Sequence, residues 1–175
     1  MFTVSPPDVA LRDAFGAMLD DYAAHDPARR EFFDAARPDF AAYVQRLLDE
    51  EQGLNLPPGW VPCTHRWLID EAPSIIGQVR VRHNILPPFL AEEGGHIGYD
   101  VPPSHRGHGY AALCLQAGLE VARALGLTRV LLCADAHNPA SWKTIEKCGG
   151  VLENEFYSSY FKTRVRRYWI DLRTL

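Results

Sequence analysis

Apolar side chains near the start of the chain recur at the spacing of a helix. Four of them are separated by four, three and four positions, which places them on one side of a helix: Leu11, Phe15, Met18 and Tyr22. Segment 5–8 reads Ser-Pro-Pro-Asp and predicts the start of that helix, with Ser5 as its N-cap. A second amphipathic helix is predicted over 39–51, and a short strand over 2–4.

Beyond a proline- and glycine-rich loop at 54–62, the hydrophobic period changes to two. Segments 65–70 and 75–83 are separated by Glu-Ala-Pro-Ser, which predicts a hairpin. In the second segment valines alternate with arginines, so one face is expected to be buried and the other exposed. A further strand is predicted over 95–101.

The second half of the chain alternates strands with helices. Helices are predicted over 107–125 and 139–147, and strands over 128–134, 151–157 and 165–172. The helix at 107–125 connects two strands, and such a unit is expected to be right-handed with its strands parallel. The predicted class is therefore α/β or α+β, with a mixed, strongly twisted sheet of about six to seven strands flanked by about four helices.

Composition narrows the classes of function. The 175 residues suffice for one domain, expected to span 1–175, and the net charge of −4 gives no general attraction to nucleic acid or to an anionic membrane. The four cysteines include no Cys-x-x-Cys pair and the seven histidines lack ligand spacing, so we expect reduced thiols and no metal site. No secretory signal is visible, and a cytoplasmic monomer or homodimer is expected.

One turn has the composition of a phosphate site. Residues 106–111, here called the glycine turn, read Arg-Gly-His-Gly-Tyr-Ala and join strand 95–101 to helix 107–125. Two glycines let backbone N–H groups converge at a helix start, where the dipole favours an anion. A tight connection that binds nothing is the alternative. The dinucleotide fingerprint lacks its third glycine because position 112 is alanine, and the Gly-Lys-Ser/Thr of a nucleotide phosphate loop is absent.

Two segments together resemble the core of the GNAT (GCN5-related N-acetyltransferase) superfamily. Its motif Arg/Gln-x-x-Gly-x-Gly/Ala is matched by Arg106, Gly109 and Ala111, between a strand and a long helix. Its second motif, an asparagine that heads a helix ending in Glu-Lys-x-Gly, is matched from Asn138 to Gly149. The resemblance covers nearly the whole chain. It implies a transferase that moves an acetyl group from acetyl-CoA to a primary amine, with 94–150 as the coenzyme-binding core.

The resemblance also implies which residues hold the coenzyme. Val101 is expected at the pantetheine through its main chain, in a gap between strand 95–101 and strand 128–134. The other expected coenzyme-binding residues are Arg106, Gly107, His108, Gly109, Tyr110, Ala111 and Asn138. The acceptor side is expected from 1–93 with the closing strands 151–175, and the acceptor is a small-molecule or peptide amine that the sequence does not identify.

The catalytic residues are implied less directly. A backbone N–H near Tyr99 or Asp100 is expected to polarise the thioester carbonyl. Many relatives carry a proton-donating tyrosine seven residues after the asparagine, but that position is Ile145 here. Ser141 is the replacement candidate, or a helix-surface serine that bonds its own backbone; Tyr157 and Tyr160 are weaker substitutes.

General bases are sought on the strand before the glycine turn. His96 and Asp100 share one face of a strand with a period of two, and either is a candidate base for the amine; a structural histidine is the alternative for His96. The missing tyrosine also leaves open a different class of protein, a sensor or partner module that binds acyl-CoA without transferring the acyl group.

Overall fold

A computed structural model describes residues 2–173. The chain begins with strand β1 (Phe2–Ser5), followed by a 3₁₀ turn at Val9–Leu11 that runs into helix α1 (Arg12–His25). The predicted N-cap was wrong: Ser5 pairs with Trp67 of the neighbouring strand, and Asp8 instead accepts the N–H of Ala10. Pairing with Trp67 holds Ser5 in an extended conformation. A local capping pattern cannot reveal this pairing, because the partner strand is distant in the sequence.

Two helices complete the N-terminal part. The short helix α2 (Pro27–Arg30) leads through a 3₁₀ segment at Glu31–Ala36 to α3 (Phe40–Gln52). Asp39 caps α3 by accepting the N–H of Ala42, and Gly53 ends it with a φ of 71°. The predicted helix over 39–51 is therefore confirmed to within one residue.

Four strands form the first sheet, in the order β1-β2-β3-β4 with antiparallel neighbours. β2 (Cys63–Asp70) and β3 (Ile75–Arg82) are the predicted hairpin, and β4 (Ile97–Asp100) is shorter than predicted. The Asp70 carboxylate closes the hairpin turn, because its Oδ1 accepts the N–H groups of Ala72 and Ser74.

The second sheet contains three strands in the order β5-β7-β6, also antiparallel. Its strands are β5 (Arg129–Asp135), β6 (Val151–Ser158) and β7 (Thr163–Asp171). Helix α4 (Tyr110–Ala124) lies between β4 and β5 in the chain, and α5 (Pro139–Lys147) follows β5. The mixed α/β class and the number of strands are confirmed, and the strands divide between two sheets because β4 and β5 form no ladder.

The first sheet has two chemically different faces. The apolar face packs against α4 and includes Val79, Val81 and Ile97. The opposite face, here called the polar face, lies beneath α1 to α3 and carries His65, Arg80 and Asp100 beside a cluster of buried aromatic side chains. The buried aromatic residues of that cluster are Phe15, Tyr22, Phe33, Phe40, Tyr43 and Trp67.

Two further findings concern the environment of the chain. All four cysteines are free thiols, as predicted. Among residues 2–173, no helix is long and apolar enough to cross a membrane.

Candidate functional site

The two sheets meet at one point and separate from there. The N–H of His96 donates to the carbonyl oxygen of Leu131 at 2.7 Å, and the N–H of Leu131 donates to His96 Nδ1 at 2.9 Å. A Cβ at Gly95 would lie 2.6 Å from that carbonyl oxygen, so this close approach requires glycine. No ladder joins β4 to β5 along the described strands. Beyond this junction a gap in the backbone hydrogen bonding therefore separates the two sheets, bordered by main-chain groups of β4.

The glycine turn lies between β4 and α4. Gly107 and Gly109 have φ angles of 84° and 83°, and Gly109 occupies the N-cap position of α4. Nothing lies within 4 Å of an ideal Cβ at either glycine. The N–H of Ala112 donates to the Gly109 carbonyl oxygen at 3.0 Å, and the N–H groups of Tyr110 and Ala111 precede it at the positive end of the helix dipole. The turn has the geometry of an anion site.

Arg106 connects the glycine turn to the end of α1. Its Nη2 lies 2.6 Å from Asp26 Oδ2, and its Nε donates to the Val101 carbonyl oxygen at 3.1 Å. Nearby, the N–H and hydroxyl of Ser104 both donate to Asp21 Oδ2 at 2.9 Å. Burial by itself would raise the pKa of Asp21, but the bonds from Ser104 together with the contact to His25 outweigh it and lower the pKa.

The remaining predicted coenzyme residues lie at the starts of two helices. The exposed His108 ring stacks on Tyr110 with centroids 6.0 Å apart, and its Nδ1 lies 3.3 Å from the carbonyl oxygen of His105. Asn138 is the N-cap of α5, where its Oδ1 accepts the N–H of Ser141 at 3.2 Å. Asn138 thus orders α5 and fixes the position of Ser141.

Tyr99 of β4 and Ser141 of α5 form a hydroxyl pair. Tyr99 Oη lies 3.1 Å from both Ser141 Oγ and the Ser141 carbonyl oxygen. Burial raises the pKa of Tyr99 to about 12, so its hydroxyl keeps its proton at neutral pH. Ile145, which stands at the family's tyrosine position, is 1% exposed within the core and carries no proton donor.

His96 has the surroundings of a structural histidine. Its residue exposure is 6%, and burial together with the positive charges of Arg82 and Arg129 lowers its pKa to about 4. The ring is therefore neutral at pH 7. Because Nδ1 accepts the Leu131 N–H, the ring proton is on Nε2 and no free lone pair faces an incoming amine.

Asp100 is held between two arginines. Oδ1 bonds to the Arg29 guanidinium, with Nε at 2.6 Å, and Oδ2 accepts from Arg80 Nη1 at 2.8 Å. Burial would raise the pKa of Asp100, but Arg80 and Arg29 outweigh it and keep the pKa below its usual value. His96 and Asp100 therefore have separate partners, and the carboxylate is a weaker base than an ordinary aspartate.

Sequence patterns did not reveal the N-terminal contribution to this region. Asp21 and Asp26 lie on or beside the predicted first helix, and Arg29 lies in α2, which was not predicted. More than 70 residues separate each of them from its partner near β4. The substitute donors are exposed: Tyr157 is 63% exposed, and Tyr160, at 68%, makes tilted and edge-on ring contacts with Phe89 and Phe161.

Comparison with known proteins identifies the family of this chain and solved structures that have a similar fold. The family model described as an acetyltransferase (GNAT) domain matches residues 10–151. No curated protein matches the sequence significantly.

Among solved structures, a predicted GNAT-family acetyltransferase from Bordetella pertussis is 17% identical, with 97% of this chain and 95% of that one covered and a TM-score of 0.69. A chimera of the Vibrio cholerae spermidine N-acetyltransferase SpeG and hSSAT is 16% identical, with 99% and 96% covered and a TM-score of 0.61. A predicted phosphinothricin N-acetyltransferase is 16% identical, with 98% and 99% covered and the same TM-score.

Proposed function

This chain belongs to the GNAT acetyltransferase family, and we propose that it transfers the acetyl group of acetyl-CoA to a primary amine by direct attack. The observation that carries the proposal is the open glycine turn at the start of α4, beside a gap between two sheets. Both features suit a long ligand that has a diphosphate at one end and an extended chain at the other.

The glycine turn supplies the groups that a diphosphate needs. Side chains are absent at positions 107 and 109, so phosphate oxygens can approach the N–H groups of Tyr110 and Ala111. Arg106 adds a positive charge next to them, and His108 lies on the same exposed surface. In the gap, we assign main-chain groups of β4 near Val101 to an extended pantetheine, which they would bond as an added strand does.

The chemistry of direct transfer assigns further roles. The amine nitrogen bonds to the thioester carbon as the carbon–sulfur bond breaks, so a proton must reach the leaving sulfur. We assign that donation to Ser141 Oγ, which the Tyr99 hydroxyl can reprotonate across 3.1 Å, and solvent then returns the proton to Tyr99. The N–H near Tyr99 or Asp100 stabilises the developing oxyanion. Because the lone pairs of His96 and Asp100 are engaged, we assign the proton of the amine to solvent rather than to either side chain.

The proposal specifies the acceptor only as a primary amine and does not identify the molecule that carries it. The structural neighbours act on or are named for spermidine and phosphinothricin, and at 16% identity they indicate the fold of this chain rather than its acceptor. A panel for activity should therefore contain polyamines, amino acids and peptide N-termini.

Gly109→Val tests the site of the diphosphate, with Gly126→Val as its matched control. Both glycines have a positive φ and open surroundings, but Gly126 lies at the other end of α4, where carbonyl groups are presented. Each substitution should cost about 1–2 kcal/mol of stability through backbone strain. Only the change at Gly109 should weaken acetyl-CoA binding at least tenfold, about 1.4 kcal/mol, in calorimetric titration. Equal affinities for the two variants would overturn the assignment of the turn.

Ser141→Ala tests the proton donor, and Thr144→Ala is its control. Thr144 lies one turn further along α5, and its hydroxyl bonds only the Ala140 carbonyl among the described contacts. We expect Ser141→Ala to lower kcat about 10²-fold with little change in KM, as for loss of a general acid, and Thr144→Ala to leave kcat within about twofold. Release of free thiol from acetyl-CoA reports both values. Tight binding with no turnover on any amine would instead favour the coenzyme-binding module.

A further inference from the structure

Three side chains with metal-binding atoms meet where α3 ends beside β2. Glu50 lies in the last turn of α3, and Cys63 and His65 lie two residues apart on one face of β2. One donor atom from each residue can be chosen so that all three lie within 4.8 Å of one another. His65 Nε2 and Glu50 Oε2 are 2.8 Å apart. The three atoms are thus spaced closely enough to share one ion.

The surroundings of this trio are those of a closed site. Glu50 and Cys63 are 5% and 7% exposed, and the His65 side chain is 15% exposed. The second oxygen of Glu50 accepts from Arg46 Nη1 at 2.8 Å, which orients the carboxylate as an outer-shell partner does. Glu50 also lines an open cavity of about 330 Å³ on the side of α3.

Two arginine side chains lie near the trio, Arg46 beside Glu50 and Arg82 beside Cys63. Arg82 faces Cys63 in the β2–β3 register, and its Nη1 donates to the carbonyl oxygens of Gly94 and Gly95 at 3.0 Å. Arginine charges on both sides of the trio offset the accumulation of a carboxylate and a thiolate.

We propose that Glu50, Cys63 and His65 bind one zinc ion, with a water molecule from the adjoining cavity as the fourth ligand. Thiolate, imidazole and carboxylate are the ligands that Zn²⁺ takes in proteins, and a thiolate excludes Mg²⁺ and Ca²⁺ as the preferred ions. One thiolate and one carboxylate neutralise the charge of the ion. The site lies on the polar face between α3 and β2, so the metal fastens a helix to the sheet and does not depend on the transferase activity.

The test is a zinc titration of the full chain after removal of metals and of any affinity tag. Competition with a chromophoric chelator should show one zinc per chain, with a dissociation constant below 1 μM, a binding free energy of about −8 kcal/mol. Cys63→Ser preserves the size of the side chain and should weaken binding at least a hundredfold. Cys148→Ser removes another buried thiol that lies in the opposite core, and it should leave the affinity unchanged.

A second measurement separates loss of the site from loss of the fold. Bound Co²⁺ should give a thiolate-to-metal charge-transfer absorption in the wild type and in Cys148→Ser, and none in Cys63→Ser. Circular dichroism should show that all three proteins are folded. A zinc dissociation constant above 10 μM for the wild type, or equal affinities for wild type and Cys63→Ser, would overturn the proposal.

Discussion

The two faces of the first sheet come from the same four strands and are stabilised in different ways. On the apolar face, Val79, Val81 and Ile97 pack against α4 so closely that a Cβ at Gly118 would lie 2.9 Å from Val79 Cγ2. On the polar face, Asp100 and its two arginines lie among aromatic rings. The apolar face depends on close packing of side chains, and the polar face depends on the pairing of buried charges. Substitutions on the two faces should therefore fail for different reasons.

The largest effect is expected at Asp100. Asp100→Asn leaves the Arg29 and Arg80 guanidiniums next to each other without a carboxylate, and breaking a buried pair in this way costs about 3–5 kcal/mol. Urea denaturation at pH 7 measures the loss. Because the folded pKa of Asp100 is depressed, its contribution is complete above the unfolded pKa of about 4 and disappears as pH falls through the folded value.

Asp34 is the matched control for Asp100. It also faces two arginines, Arg30 at 3.1 Å and Arg37 at 3.8 Å, but its side chain is 47% exposed. Asp34→Asn should change stability by less than about 1 kcal/mol. Losses of similar size for the two variants would show that burial does not set the strength of the Asp100 triad.

The next effect is a pH dependence at His96. The unfolded chain takes up a proton on this ring near pH 6.5, whereas the folded protein takes it up only near pH 4. The unfolded state therefore binds more protons in this window, and about 3 kcal/mol of stability should be lost as pH falls from 6.5 to 4. His96→Asn retains an acceptor for the Leu131 N–H and should flatten this slope. Unfolding curves that fall equally steeply for His96→Asn and for the exposed-site control His137→Asn would contradict the assignment.

The smallest effects are expected for glycine-to-alanine substitutions in two helices, α4 on the apolar face of the first sheet and α1 on its polar face. Gly118→Ala places a Cβ 2.9 Å from Val79 and 3.2 Å from Ile97, and such overpacking costs about 1–3 kcal/mol. This exceeds the ~1 kcal/mol gained from helix propensity, so the protein should be destabilised. Gly16→Ala in α1 meets nothing within 4 Å and should stabilise the protein by about 0.5–1 kcal/mol. Thermal denaturation of both variants checks the opposite signs.

Local patterns predicted most of the elements because the relevant forces act over a few residues. The hairpin, α3 and α5 follow from alternation, caps and glycine stops, and their bounds differ from the predicted ones by one or two residues at most ends. The glycine turn was equally visible, since a positive φ at two positions before a helix is a local requirement. Conformation over a short span can be inferred from the residues in that span.

Contacts between distant segments could not be inferred in this way. Alternation places Arg80 and Asp100 on faces of their strands, but it does not reveal that Arg29 reaches the same carboxylate. Nor does it show that β4 and β5, which were expected to be parallel neighbours, are joined only at His96 and Leu131. The hydrogen bond that occupies His96 Nδ1 depends on that junction, so the protonation of the ring was not predictable from its position in the strand.

The ion pair between Arg106 and Asp26 ties the glycine turn to the end of α1. Under the proposed function, an anion that draws Arg106 toward the glycine turn must do so at the expense of Asp26. Linkage is reciprocal, so the strength of this ion pair and the affinity of the glycine turn for an anion would oppose each other by the same factor.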